Sequence, residues 1–318
     1  MKVGIIGAVG STAITIKLLH QHNFDIVGVL GLEPSNPKKI SGLFNLAELA
    51  ESLQVPYCGF QLINKAEIYN WMKEKKPDII FAVGFSQLLN ENWLKMPKLG
   101  CIGFHPTLLP KGRGRAPLAW IILTERKGAA TFFLMNQNAD EGPIFIQEPF
   151  TVEENDDANS LKKKIHLATE IALNKWLPDL KKGYWDPKPQ DESEASFFGL
   201  RHPDDGLINW KNTSYEINLL IKASTRPYPG AFSYFDNEKI IIWKCRPEKD
   251  LNIKGVVGRV LMENENGHLL VQCGEGLLWL LDYENESEKK PKTGTLLGYN
   301  PELEINRLWE ELKKFIKK

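Results

Sequence analysis

Val3-Gly4-Ile5-Ile6-Gly7-Ala8-Val9-Gly10-Ser11-Thr12 is an apolar, β-branched run broken by a glycine-bearing turn, and residues 13–19 after it return to an apolar pattern of helical period. The reading is a strand, a turn and a helix. A second apolar run at residues 25–32 completes a βαβ unit, whose crossover makes the two strands parallel. Helical patterns at residues 43–53 and 65–75 then alternate with strand-like runs at 55–58 and 79–83. Alternation of this kind predicts an α/β fold: a Rossmann-like, mostly parallel sheet covered by helices. The turn at residues 7–10 has half the spacing of a dinucleotide fingerprint and lacks its third glycine, so it is read as a tight turn.

The next apolar run, residues 99–104, ends in His105 and gives way to Pro106-Thr107-Leu108-Leu109-Pro110-Lys111-Gly112-Arg113-Gly114-Arg115-Ala116-Pro117. So much proline and glycine ends the strand and places His105 at its carboxyl end, where open α/β sheets keep their ligands and chemistry. Asp140-Glu141-Gly142 follows downstream as a turn. A carboxylate bonded to one imidazole nitrogen fixes the tautomer and leaves the other nitrogen to face reacting atoms. Acyl transfer to an amine needs that pair together with donors for a tetrahedral oxyanion, and His105 and Asp140 are the candidates.

A helix at residues 116–123, extended runs at 131–135 and 144–150 and a long amphipathic helix at 158–182 complete a first domain, taken as residues 1–185. Residues 186–204 are polar and carry Pro187 and Pro189, which reads as a linker. The second domain, 205–318, has a helix at 215–223 and short strands near 231–234, 240–243, 255–261, 269–272 and 277–282, expected to form a small β-barrel-like (OB-like) module. Leu303, Ile305, Leu308, Trp309, Leu312 and Phe315 of a last amphipathic helix are expected to pack on it.

Among 318 residues, 40 Lys and Arg balance 40 Asp and Glu, so no net charge draws the chain toward nucleic acid or an anionic membrane. The four cysteines are scattered without a Cys-x-x-Cys pair and no histidine has metal-ligand spacing, so neither zinc nor a disulfide framework is expected. No signal-peptide pattern and no membrane-length apolar run is seen, and a cytoplasmic location is expected.

On these residues the chain resembles the folate-dependent formyltransferase family. The family's Asn-x-His-x-Ser-Leu-Leu-Pro motif, its Arg-Gly segment and its later Asp read here Gly103-Phe104-His105-Pro106-Thr107-Leu108-Leu109-Pro110, Arg113-Gly114 and Asp140. The similarity extends to Val83-Gly84-Phe85-Ser86-Gln87-Leu88-Leu89, to Gly206-Leu207-Ile208-Asn209-Trp210 and to Pro227-Tyr228-Pro229-Gly230. The resemblance implies the formyltransferase fold and 10-formyltetrahydrofolate as co-substrate. It sets the pteridine beside Phe85, Ser86, Gln87, Leu88 and Leu89 and the loop carrying Asn138, Asp140 and Gly142. It also implies catalysis by His105 and Asp140 without a metal. Gly103 stands where the family has the asparagine that helps hold the formyl oxygen, so only backbone is offered there. Losing such a donor typically costs about 2.7–4 kcal/mol of transition-state stabilisation. The His105 imidazolium, or an amide from Asn136 or Asn138, is the expected replacement.

The segment around Arg113 and Arg115 looks more like the sugar enzymes of the family than its tRNA enzyme, and planar, fixed cations suit a diphosphate. The expected acceptor is therefore the amine of a nucleotide-linked sugar. A 4-amino-4,6-dideoxyhexose bound for a surface polysaccharide comes first, and a sugar of the pseudaminic-acid pathway second. Thr107, Trp210 and Tyr228 are further acceptor candidates, the last two with core packing as the competing reading. Methionyl-tRNA formyltransferase is the alternative, although a tRNA enzyme is expected to carry a basic surplus. A non-catalytic folate- or nucleotide-binding protein, which Gly103 raises, and a formyl-folate hydrolase are the readings from other classes. A homodimer is also expected, with the second domain or the last helix supplying the contact.

Overall fold

In the computed structural model, which describes residues 1–36, 41–286 and 289–316, the opening run forms β1 (Lys2–Gly7) and the residues past its turn form α1 (Gly10–Gln21). The Thr12 hydroxyl accepts from Ala8 N at 3.1 Å and donates to Val83 O at 2.6 Å, which ties the turn to the end of a neighbouring strand. The chain continues through β2 (Asp25–Leu32), α2 (Leu46–Ser52), β3 (Tyr57–Phe60), α3 (Ala66–Lys75), β4 (Ile79–Val83), α4 (Glu91–Lys95) and β5 (Cys101–His105). Next come β6 (Arg113–Gly114), α5 (Pro117–Trp120) running on into a π-helical turn (Ile121–Glu125), β7 (Lys127–Leu134), β8 (Ile144–Thr151), α6 (Ala158–Lys181) and β9 (Phe197–Phe198).

Seven strands form one sheet in the order β3-β2-β1-β4-β5-β7-β8. The first five are parallel, and β7 and β8 add an antiparallel edge. Strands buried on both faces must be apolar at successive positions, and β1 obeys: Ile5 faces a core with Phe81, Ile102, Phe132 and Trp176 of α6, while Ile6 faces Leu30, Ile80, Met72 of α3 and Trp93 of α4. Strand order reverses between β1 and β4, the crevice where such sheets bind ligands. His105 ends β5, the strand beside β4.

Contacts divide the chain into two units, residues 1–155 with 160–200 and residues 156–159 with 201–318. The stretch expected to be a linker does more than connect. Lys188 exchanges backbone hydrogen bonds with Ile144, and β9 pairs in parallel with β6. Residues 188–198 therefore lie as a strap on the first unit.

The second unit holds α7 (Ser214–Ser224), β10 (Ala231–Phe235), β11 (Glu238–Glu248), β12 (Val260–Glu263), β13 (Leu269–Gln272), β14 (Leu277–Asn285) and α8 (Pro301–Ile316). Its strands form an antiparallel sheet, β10-β11-β14-β13-β12, around Ile217 and Ile221 of α7. Register shifts at Ile242, Lys244 and Cys245 let the long β11 bend, and among the described residues no ladder joins the end strands β10 and β12. The last helix departs from expectation: Ile305, Leu308, Trp309 and Leu312 do not pack on the sheet but stand exposed. An amphipathic period fixes which face of a helix is apolar and not what covers it. The side chains of Leu303 and Phe315 lie outside the described residues.

No described helix is long and apolar enough to cross a membrane, and among the described residues no cluster of His, Cys, Asp and Glu could hold a metal. All four cysteines are free thiols. Burial pushes the Cys101 thiol, two residues before Gly103, up to about 12, which leaves it unreactive.

Candidate active site

His105 and Asp140 meet. The ring is 6% exposed, and its Nε2 lies 2.8 Å from Gly112 O. A carbonyl only accepts, so Nε2 carries the proton and donates. Nδ1 lies 3.5 Å from Asp140 Oδ2, which also accepts from Gly114 N at 2.9 Å. Both ring nitrogens thus face acceptors of the protein, and neither is left free toward reacting atoms as the sequence suggested. A ring between two acceptors satisfies both of them only when it carries both protons. The 3.5 Å separation is longer than a good N–H···O bond, room that catalytic pairs commonly close on binding. Asp140 Oδ1 has no hydrogen bond among the described residues.

Asp140 sits at φ +60, a left-handed backbone that few residues other than glycine adopt without strain. Its loop is closed tightly at Gly142, where an added Cβ would lie 1.6 Å from Leu134 O. What holds the loop is Gln190, from the strap. Its Nε2 donates to Asp140 O at 2.8 Å and Gly142 O at 2.7 Å, while its Oε1 accepts from Arg113 Nε and NH2 at 3.3 and 2.9 Å. Sequence reading passed over Gln190, Glu192, Ser196 and Phe198. The one available signal was the apolar pair Phe197-Phe198 inside an otherwise polar stretch.

Arg113, expected from the sequence to meet a diphosphate, is fully buried and spends its guanidinium on the protein's own acceptors. NH1 and NH2 each reach Glu192 at 2.8 Å in a bidentate pair. That bond raises the guanidinium further above its ordinary range and holds the Glu192 carboxyl below its own. Sequence identifies an arginine after a catalytic strand but not which acid reaches it. The pair pins the strap, helped by Gly112 N donating to Ser196 Oγ at 2.9 Å and Arg113 N to Ser196 O at 2.9 Å. Arg115, by contrast, is exposed, and its guanidinium has no partner among the described residues.

Gly103 has no vacancy beside it. It faces Phe133 across the β5–β7 ladder, and a Cβ built on it would lie 2.5 Å from Phe133 Cζ and 3.0 Å from Met135 Cγ. Hydrocarbon fills the place of a side-chain amide. Of the two expected amides, Asn138 Nδ2 is taken, donating to Glu141 Oε2 at 2.6 Å, while Asn136 uses its Oδ1 to accept from Asn138 N at 3.0 Å and keeps its Nδ2 without a partner among the described residues. Gly103→Asn is expected to lower stability by about 1–3 kcal/mol through overpacking, with most of it recovered in Gly103→Asn/Phe133→Ala. Thermal melts of the two variants check this, and an unperturbed single variant would refute the close packing.

The segment after β4 is exposed in part. Phe85 packs edge-on to Phe60, with ring centroids 5.8 Å apart. Leu88 is 73% exposed, and Leu89 is buried. The Gln87 side chain accepts from Ile63 N at 3.0 Å and donates to Gln61 O at 2.7 Å, which fixes the loop, and Ser86 is exposed. Thr107 is 2% exposed with its hydroxyl unpaired, beside a cavity of about 430 Å³ bordered also by Leu108, Lys111, Ile121, Lys127 and Phe198. In the second unit Trp210 packs in the core, its Nε1 donating to Ser233 Oγ at 2.9 Å. Tyr228 is half-buried, and burial pushes its hydroxyl up to about 12.

The comparisons agree with this architecture. Residues 45–177 match the family model of formyl transferase, and residues 201–298 match that of the formyl transferase C-terminal domain. Among solved structures, HypX from Aquifex aeolicus in complex with tetrahydrofolic acid is similar at 17% identity and a TM-score of 0.63, over 90% of this chain and 44% of that one. The chain thus spans under half the length of HypX. WlaRD, a sugar 3N-formyl transferase solved with dTDP and 5-N-formyl-THF, is similar at 18% identity and a TM-score of 0.65, over 91% of this chain and 99% of that one. Methionyl-tRNA formyltransferase from Clostridium thermocellum is similar at 19% identity and a TM-score of 0.54, over 80% and 96%.

Proposed function

Because the chain belongs to the formyl transferase family, we propose that it transfers a formyl group from 10-formyltetrahydrofolate to the primary amine of a nucleotide-linked amino sugar. The observation that carries this reading is the His105–Asp140 pair at the carboxyl end of β5, with Nε2 bonded to Gly112 O and Nδ1 3.5 Å from the carboxylate. The folate supplies an activated formyl carbon. The His105 ring, when it carries both protons, stabilises the oxyanion that forms when the amine attacks, in the absence of a side-chain amide at Gly103. Asp140 Oδ1 accepts the proton that the amine loses, and that proton passes on to the departing folate nitrogen. Residues 85–89 and the loop from Asn138 to Gly142 border the folate.

A nucleotide sugar is favoured over a charged tRNA by the even balance of 40 basic and 40 acidic residues, since a tRNA acceptor calls for a basic excess. The exposed Arg115, without a partner among the described residues, is the contact for the acceptor's phosphates, and the cavity at Thr107, bordered by Lys111, Lys127 and Glu125, takes another part of the acceptor. An amino sugar made for a surface polysaccharide in the cytoplasm fits this chemistry. The test is a panel of UDP-, dTDP- and CMP-linked amino sugars incubated with protein and 10-formyltetrahydrofolate and read by mass spectrometry for a formyl adduct. Thr107→Val is expected to raise the KM for the acceptor about 10-fold with kcat unchanged, as removal of one buried hydrogen-bonding partner does; an unchanged KM removes Thr107 from the acceptor site. A second reading, ligand binding without transfer, rests on the hydrocarbon beside Gly103. It predicts folate binding with no product from any acceptor.

A further inference from the structure

The cavity at Thr107 has apolar walls and a few polar points. Leu108, Ile121 and Phe198 supply the walls, and Thr107, 2% exposed, adds a hydroxyl without a partner among the described residues. A buried hydroxyl left unpaired costs free energy, so the place is suited to receive a polar atom. Glu125 ends the π-helical turn, where Arg126 N reaches back to Ile121 O at 2.8 Å, and Lys127 follows. Turns of this kind collect at functional sites. Both side chains border the cavity, and neither has a partner among the described residues. Phe198 is backed by Trp120, whose ring stacks on it with centroids 5.9 Å apart and whose Nε1 donates to Gly199 O at 2.8 Å.

These features decide which part of the acceptor belongs here. A phosphate is repelled by the Glu125 carboxylate, and Lys111, another cation at the border, already pairs with Glu194 at 3.1 Å. A hexose carries hydroxyls on all sides and would bury them against apolar walls. A nucleobase has two apolar faces and a polar edge, which suits an aromatic wall with a few polar groups around it. We propose, resting on the nucleotide-sugar reading of the site, that this cavity is the nucleobase subsite, with the base stacked on Phe198 and its edge bonded to Thr107, Glu125 and Lys127. Gly112 connects it to the chemistry. A Cβ there would lie 2.6 Å from Phe198 Cε2 and 3.1 Å from Thr107 Cγ2, and its carbonyl accepts from His105 Nε2 at 2.8 Å. Two residues on, Gly114 N bonds the Asp140 carboxylate, and Arg115 comes next for the phosphates. Stacking supplies affinity for any base, whereas the Glu125 carboxylate, which only accepts, supplies the choice among bases.

Isothermal titration of the full chain with UDP, dTDP, GDP, CDP and inorganic pyrophosphate, without folate, tests it. Phe198→Leu is expected to weaken the nucleotides about 10-fold, the worth of one base–aromatic stack, and to leave pyrophosphate unchanged. Phe198→Tyr, which keeps an aromatic face, should bind as the wild type does and exclude loss of folding as the cause. Arg115→Ala should weaken nucleotides and pyrophosphate alike. Glu125→Gln, whose amide donates as well as accepts, should change the order of affinity among the bases. Nucleotide affinity that Phe198→Leu leaves unchanged, or lowers no more than that of pyrophosphate, overturns the proposal, and so does an order of bases that survives Glu125→Gln. The transfer reading fails separately. Nucleotides bound through Phe198 with no formyl adduct from any acceptor refute transfer and keep the subsite, while adducts formed with an acceptor affinity indifferent to Phe198 refute the subsite alone.

Discussion

His105→Ala is expected to lower kcat for formyl transfer by about 10²- to 10⁴-fold, the range in which a positioned proton-handling or oxyanion-stabilising side chain acts. The magnitude should fall toward the upper end because the strand itself offers no side-chain donor. The strand offers glycine at 103, Phe133 and Met135 occupy the space beside it, and the Asn138 amide is engaged by Glu141 within its own loop. The KM for folate should change little, since both ring nitrogens face acceptors of the protein itself, Gly112 O and Asp140. The same substitution leaves Gly112 O unpaired in a buried site, a stability loss of about 1–3 kcal/mol. His105→Asn, which restores one donor, should recover part of that stability and little of the activity. Single-turnover kinetics with thermal melts of both variants separates the two effects. A His105→Ala enzyme that turns over at the wild-type rate would remove the ring from the chemistry and leave binding as the function.

The parallel sheet was legible because its signals are local: apolar runs of strand length, helical periods between them and a turn after each. His105 was legible for the same reason, as the last residue of an apolar run before a proline- and glycine-rich loop. What could not be read was pairing over distance. Arg113 resembles a phosphate ligand in one dimension, and it becomes a structural cation only once the chain brings Glu192 back to it. Polar composition made residues 186–204 look like a linker, yet hydrogen-bonding side chains are what a strap over a polar loop requires. Gly103 likewise reads as a deletion of an amide, until the β5–β7 register puts Phe133 opposite it. In α8 the amphipathic period was legible, but it says nothing of the surface that the apolar face meets.

Gln190→Ala is expected to lower kcat about 10- to 100-fold with smaller effects on KM, although Gln190 touches neither the His105 ring nor the Asp140 carboxylate. Its amide is saturated: two N–H groups on the carbonyls of Asp140 and Gly142, and the oxygen on two N–H groups of Arg113. Those carbonyls flank the point where the backbone is held at φ +60, so without the clamp the loop can relax and carry the carboxylate away from His105. A displacement on the order of 1 Å is enough for a loss of that size. Because the residue acts through Asp140, Gln190→Ala and Asp140→Asn should be non-additive, the double variant being little slower than Asp140→Asn alone. Additive losses would show instead that Gln190 works elsewhere. Gln190→Glu separates positioning from bulk stability. A carboxylate keeps and strengthens the bond to the buried Arg113 guanidinium, so the thermal midpoint should hold, but it cannot donate to either carbonyl. If the strap only braces the fold, Gln190→Glu is active. If it sets the position of Asp140, the variant is stable and slow.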